Sequence, residues 1–397
     1  MDDADKITLK FRLGQIFTPS APISKSSLFA GRQDQISELI NTVNSRGQHA
    51  ALFGERGVGK TSLATVLKEF IGPFDFIFVS TNCDASTTFK SICDNLVDEI
   101  AVACKKAGKG FKTAEGSTQD IIMSFLSDKP TPEQMRHLFE DMECDAIVLI
   151  DELDRVRDKA TTTRLADLIK TLSDHAVGCT FIMAGVADSL DNLIAEHLSI
   201  ERALVQIKMP RMSSSELEQI TAKGLHEVSM SIEAEATKRI SKLSHGLPHY
   251  THALSLHAAQ TAVDRGSMVV SKNDVLKAIS KTISGAQQTV VRAYHDATSS
   301  PRGNLYSEVL LACALAETDD LGYFPASAVR GPMSKIMKKP YEIPAFSRHM
   351  NDFCEASRGK ILQRTGFPRR YRFRFVNPLM EPYVVMKGIA AKLIKSD

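Results

Sequence analysis

Apolar residues in the first half of the chain fall into short continuous runs separated by stretches of helical spacing. Runs at 49–53, 74–80, 146–150 and 179–185 have strand length and no polar alternation, as expected of strands buried on both faces. Between them, Leu63, Val66, Leu67 and Phe70 recur at helical intervals, as do Phe89, Ile92, Leu96, Val97 and Ile100 within 87–104. A further amphipathic stretch covers 161–173. Strands alternating with helices predict an α/β fold with a parallel sheet covered on both faces, and ligands at the carboxyl ends of the strands. Residues 105–131 read as loop, with a lysine cluster at their start that reads as a solvated loop in preference to a nucleic-acid contact.

From about residue 212 the pattern turns to helices alone. Ser213-Ser214-Ser215-Glu216 has the cap and acidic first turn of a helix start, and 237–243, 250–263 and 273–283 are helical stretches. The division expected is an α/β domain over 1–211, a helical lid over 212–284 and a last domain over 285–397. In that last part, 305–316, a helix start at 325–330 and 344–356 read as helices. After the turn Gly366-Phe367-Pro368 comes the clearest strand alternation in the chain. Tyr371, Phe373 and Phe375 share one face, and Arg370, Arg372 and Arg374 the other. A hairpin after a helix–turn–helix pattern predicts a winged helix.

The first apolar run leads into Gly54-Glu55-Arg56-Gly57-Val58-Gly59-Lys60-Thr61, then Ser62 and a helix. This is G-x-x-x-x-G-K-[ST] in its required strand–loop–helix context. Glycines let the backbone N–H groups turn toward phosphate oxygens, and the helix N-terminus adds a favourable dipole. Lys60 would reach the β- and γ-phosphates of ATP, and the Thr61 hydroxyl would ligate Mg²⁺. The run at 146–150 ends in Asp151-Glu152-Leu153-Asp154. Asp151 would hold the Mg²⁺ and Glu152 would polarise an attacking water, which predicts an ATPase.

Whole-chain charge is nearly balanced, at 49 basic and 47 acidic residues, but its distribution is not. Residues 285–397 carry 17 basic and 10 acidic residues, leaving 32 basic and 37 acidic in the first 284. An acidic nucleotide unit is joined to a basic terminal unit. Arg364, Arg369, Arg370, Arg372 and Arg374 can meet phosphates of duplex DNA. Seven scattered cysteines without a C-x-x-C pair argue against a disulfide framework or zinc site and suit a reducing compartment. No apolar run is long enough to span a membrane, and the polar N-terminus is not a signal peptide, so a cytoplasmic protein is expected.

With these motifs in place, the chain resembles the AAA+ ATPases, most of all the origin-recognition and replication-initiator branch. Leu28-Phe29-Ala30-Gly31-Arg32 resembles the F-x-G-R segment that lies against adenine in that branch, although Asp34 and Gln35 replace its usual acidic spacing. Ser244-His245-Gly246-Leu247-Pro248-His249 resembles the turn opening the lid helix. The resemblance implies nucleotide contacts at Arg32, Pro248 and His249, and a polar sensor at Asp188. It also implies an arginine finger at Arg202 that serves a neighbouring subunit in a self-associated state. It departs where His249 stands for the customary lid arginine, and Pro248 makes this turn more like that of the STAND signalling ATPases. Those relatives imply an alternative, a signalling or phage-defence ATPase whose last domain binds a protein effector. A transposition or plasmid-maintenance ATPase is a further alternative.

Overall fold

The computed structural model describes residues 1–23, 26–112, 128–186, 198–300, 304–319, 321–367 and 370–395. Helices α1 (Asp3–Ile16) and α2 (Gln33–Asn44) precede strand β1 (His49–Phe53). Then follow α3 (Lys60–Ile71), β2 (Phe76–Asn82), α4 (Phe89–Ala107), α5 (Pro132–Asp141), β3 (Asp145–Asp151), α6 (Lys159–Asp174), β4 (Cys179–Gly185) and β5 (Leu204–Lys208). The five strands form one parallel sheet in the order β2-β3-β4-β1-β5.

Strand alternation separates two cores. Ala50, Leu52, Ile147, Leu149, Ile182 and Ala184 face a cluster shared with α1, α2 and α3. Ala51, Val148, Ile150, Phe181 and Met183 face a second cluster shared with α4, α5 and α6. Because both faces are buried, the strands need apolar residues at successive positions, which is why they read as unbroken runs. The run expected at 74–80 pairs as 76–82, its register carrying Asn82 opposite Asp151. The β1–α3 connection and the end of β3 therefore meet at one edge of the sheet.

The helical part comprises α7 (Ser214–His226), α8 (Ala234–Ser244), α9 (Pro248–Asp264) and α10 (Lys272–Ser284), with short paired strands β6 (Ser231–Ile232) and β7 (Val269–Val270). Ser213 and Glu216 form the capping box expected at the start of α7. Next come α11 (Gln288–Thr298), α12 (Tyr306–Ala314), β8 (Phe324–Pro325), α13 (Ala326–Met337), α14 (Ser347–Asp352), β9 (Leu362–Thr365), β10 (Arg372–Phe375) and α15 (Met380–Ala390). The antiparallel order β8-β10-β9, with helices before and between, is consistent with a winged helix. Phe373 and Phe375 are buried against Phe324, as their alternation requires.

The helix expected over 344–356 is shorter. The Phe353 carbonyl accepts the Leu362 N–H at 3.0 Å, so the chain turns into β9 where a longer helix would have used that acceptor. The first core continues without a break through α9 and α10 into α12 and α15, so helical part and winged helix pack as one mass over one face of the sheet. Among the described residues, no helix is long and apolar enough to cross a membrane.

Candidate nucleotide site

The loop between β1 and α3 curls because Gly57 and Gly59 take φ of 86° and 98°, where a side chain would be strained. Lys60 Nζ donates to the carbonyls of Gly54 (3.0 Å) and Glu55 (2.9 Å), which draws its ammonium over the loop. Burial pushes the Lys60 pKa down to about 8, against the opposing pull of Asp154 and Asp151. Thr61 Oγ1 donates to Asp151 Oδ2 at 2.5 Å. A hydroxyl and a carboxylate oxygen thus meet beside the loop, a hard-oxygen pair suited to Mg²⁺. Asp151 Oδ1 accepts the Glu152 N–H at 2.8 Å.

Glu152 itself sits at φ 55°, and its Oε2 takes a hydrogen bond from Arg155 at 2.7 Å. That partner was not foreseen from the sequence, although three-residue spacing beside the acidic run is the signal that could have found it. Arg56 faces Asp154 at 3.6 Å. Ser62 accepts the Ile23 N–H at 3.1 Å and so ties the chain before α2 to the loop.

A cavity of about 650 Å³ opens over this loop, with Glu152 and Asp154 at its acidic side. Ile23, Leu28, Phe29 and Ile220 supply apolar wall. Pro248 approaches Gly59, and His249 Nδ1 donates to Pro19 O at 2.7 Å, since a carbonyl can only accept. Burial lowers the His249 pKa, which favours the neutral ring. His249 therefore lines the cavity while anchoring its N-terminal wall. Arg32 is buried behind the loop, where its guanidinium donates to Val58 O (3.2 Å) and Pro210 O (2.5 Å). It braces the loop against the end of β5, a supporting role beside the base contact implied by resemblance.

Arg202 lies outside this cavity, with its side chain 78% exposed and bonded to Asp174 at 2.8 Å. Asp188 and Arg369 lie outside the described residues.

The least expected feature is the far wall of the cavity. Gln287, Thr289, Asn377 and Leu379, all beyond residue 284, line it. A Cβ placed at Gly57 would lie 3.2 Å from the Leu379 side chain, and Tyr250 donates its hydroxyl to Leu379 O at 2.7 Å. Arg211 joins the two units. It donates to Glu55 Oε2 at 2.6 Å and to both carboxylate oxygens of Glu381 at 2.5 and 3.1 Å. Burial alone would lower the Arg211 pKa, but the two carboxylates overcome this and raise it. Side-chain exposures of 9% for Glu55 and 4% for Glu381 put this triad largely out of water. Glu55 thus directs its carboxylate to Arg211. Neither Arg211 nor Glu381 stands out in the sequence, because their partners are far away along the chain.

On the hairpin, the guanidinium of Arg364 is bonded to Asn351 Oδ1 at 2.6 Å and lies 4.5 Å above the Tyr371 ring. Arg372 pairs with Asp319, and Arg372 and Arg374 lie over Tyr323 at 5.5 and 4.6 Å. The shared arginine face expected from alternation is present, yet much of it is already engaged. Arg370 is exposed at the tip.

A parallel sheet in this order, a phosphate loop after its first strand and an acidic end to β3 define a P-loop AAA+ fold, followed by helices and a small antiparallel sheet consistent with a winged helix. Residues 43–194 match the family model described as an AAA domain. No curated protein sequence matches the chain. Among solved structures it is similar to the Aeropyrum pernix ORC2 protein in its ADPNP–ADP complexes. That similarity has 16% identity, spans 96% of this chain and 98% of that one, and has a TM-score of 0.53. It is similar also to the Walker-type ATPase paby2304 of Pyrococcus abyssi, at 15% identity over 93% and 99% of the two chains and TM-score 0.52. A third similarity is to the Aeropyrum pernix ORC1 protein in complex with DNA, at 11% identity over 96% and 97% and TM-score 0.51. These likenesses show the fold along nearly the whole chain.

Proposed function

We propose that this chain is an ATP-dependent molecular switch that self-associates and binds duplex DNA through its winged helix. The observation that carries the reading is the shared cavity. The phosphate loop and the segment 377–379 wall one space, so a nucleotide there is in reach of both units. The Arg211 triad adds an ionic link between the same two units. Similarity to an ORC2 protein solved with ADPNP and ADP, and to an ORC1 protein solved with DNA, favours this reading over other AAA+ tasks.

The loop N–H groups and Lys60 bind the phosphates, and Thr61 and Asp151 would hold Mg²⁺. The ion supplies neutralisation of phosphate charge when bound. Glu152 orients the attacking water and accepts its proton, for which its pairing with Arg155 must open. Arg202, exposed and away from its own site, serves the neighbouring subunit's γ-phosphate. Separate units at 1–211, 212–284 and 285–397 are then a nucleotide engine, its lid and its DNA reader, acting in a cytoplasmic setting.

The experiment is duplex binding by fluorescence anisotropy with ATP, with ADP and with neither, together with phosphate release. Binding that depends on nucleotide and weakens with salt supports the reading. Glu152→Gln should keep nucleotide affinity and lower turnover by about 10²–10³-fold; unchanged release removes Glu152 from the role. One observation favours a second reading. Arg364 and Arg372 are already bonded to Asn351 and Asp319, which suits a winged helix that docks an effector protein. Absence of duplex binding in every nucleotide state would favour it.

A further inference from the structure

Phe367 is the most exposed large apolar side chain among the described residues, at 79%. It belongs to none of the clusters of buried apolar residues. It stands at the tip of the β9–β10 hairpin, after Gly366 at φ 93°. A Cβ at Gly366 would come within 2.8 Å of the Arg370 carbonyl, and the Phe367 carbonyl accepts the Arg370 N–H at 2.9 Å. The tip is thus closed on itself and carries its ring out into water.

Its neighbours along the sequence are of one sign. From Ala356 to Met380 the sequence has seven Arg or Lys residues and no Asp or Glu. Arg364, on the strand leading to the tip, is fixed by Asn351 and by the face of Tyr371, so its charge is held near the hairpin. Single apolar residues on a surface are ordinary. A phenyl ring on a tight hairpin tip inside an acid-free basic segment is a more specific combination. A protein-facing apolar anchor has no need of an acid-free basic sequence on both sides of it, whereas a polyanion favours one.

Resting on the DNA-binding reading above, we propose that Phe367 is a wedge. It enters a base step of duplex DNA from the minor groove, while Arg364 and Arg370 meet the flanking phosphates. Apolar side chains inserted at a base step unstack it and kink the duplex, and the ring in exchange leaves water. The minor groove is about 6 Å wide, which a hairpin tip can address where a helix cannot. The site then selects steps that unstack easily, such as TA, without any hydrogen bond to a base.

The test compares the full chain with Phe367→Ala, Phe367→Leu and Arg370→Ala, all at an exposed tip where folding is checked by Tm. Three readouts are taken on one duplex: affinity as a function of salt, end-to-end distance by energy transfer, and fluorescence of 2-aminopurine at a TA step. Phe367→Ala should weaken affinity about tenfold with an unchanged salt slope, and abolish both the bend and the 2-aminopurine signal. Phe367→Leu should keep most of all three. Arg370→Ala should reduce the salt slope by about 1 and keep the bend. If the unaltered chain binds without bending, or Phe367→Ala binds and bends as well as it does, the wedge is overturned and DNA binding stands. If the unaltered chain binds no duplex even at low salt, both fall.

Discussion

The phosphate loop and the basic hairpin are both short glycine-turned segments that present cations, and they hold them in opposite ways. Lys60 is drawn onto carbonyls of its own loop, six and five residues away, and burial brings its pKa down to about 8. Arg364, Arg372 and Arg374 stay nearer solvent and lean on side chains brought from elsewhere, Asn351, Asp319 and Tyr323. The first device is built by backbone shape within eight contiguous residues. The second is built by tertiary packing. A contiguous device can be read as a motif; an assembled one shows only its charges.

Buried charge should dominate the energetics. Arg211→Ala leaves Glu55 and Glu381 facing each other without their cation, and should cost about 3–5 kcal/mol in a denaturant melt. Replacing both carboxylates by glutamine in that background should recover much of the loss. A cost below about 1 kcal/mol would mean that the triad does not join the units.

Acid should act through buried histidines. Burial pushes His49 and His252 down to about 4, from an ordinary value of 6.5. The unfolded chain takes up their protons first, so their contribution is complete above pH 6.5 and is lost as pH falls from 6.5 toward 4. The loss should be on the order of 2–3 kcal/mol for each, visible as a falling Tm, and His252→Gln should flatten its share.

At the loop, Lys60→Ala should weaken nucleotide binding by about a hundredfold or more, about 2.7 kcal/mol, measured by calorimetry. The lowered Lys60 pKa has its own signature. The ammonium is present below about pH 8 and is lost above it in the free protein. Affinity should therefore be level below pH 8 and fall above it, by up to about 1.4 kcal/mol per pH unit, with proton uptake on binding. The hairpin gives the smallest effect. Arg372→Ala breaks a partly exposed pair and should cost no more than about 1 kcal/mol of stability, while lowering the salt slope of duplex binding by about 1.

The same contrast explains what the sequence discloses. The strands at 146–150 and 179–185 were legible because both faces of a parallel sheet demand unbroken apolar runs. The strand–loop–helix shape of 49–71 and its meeting with the end of β3 were legible from the spacing, and Thr61 does meet Asp151. Strand β5 was missed because Leu204 and Ile207 are its only buried apolar pair, at the sheet edge. Helix α1 was missed because it buries just Leu9 and Leu13 of its 14 residues. Helix α5 follows a capping box at Thr131 and Gln134, but lies beyond a stretch that reads as loop. Helix α15 buries residues on nearly all sides, so it has no polar face to mark its period. The upstream Leu379 lines the cavity and its Glu381 accepts from Arg211, which is why the far wall could not be read ahead of the fold.

The central claim is that nucleotide at the phosphate loop is felt by the winged helix across the Leu379–Arg211–Glu381 contact. Hydrogen exchange read by mass spectrometry on the full chain, with and without a non-hydrolysable ATP analogue, tests it most directly. The account predicts that peptides covering 377–390 change protection together with peptides covering 54–62. Altered exchange at 54–62 with no change at 377–390 would contradict it.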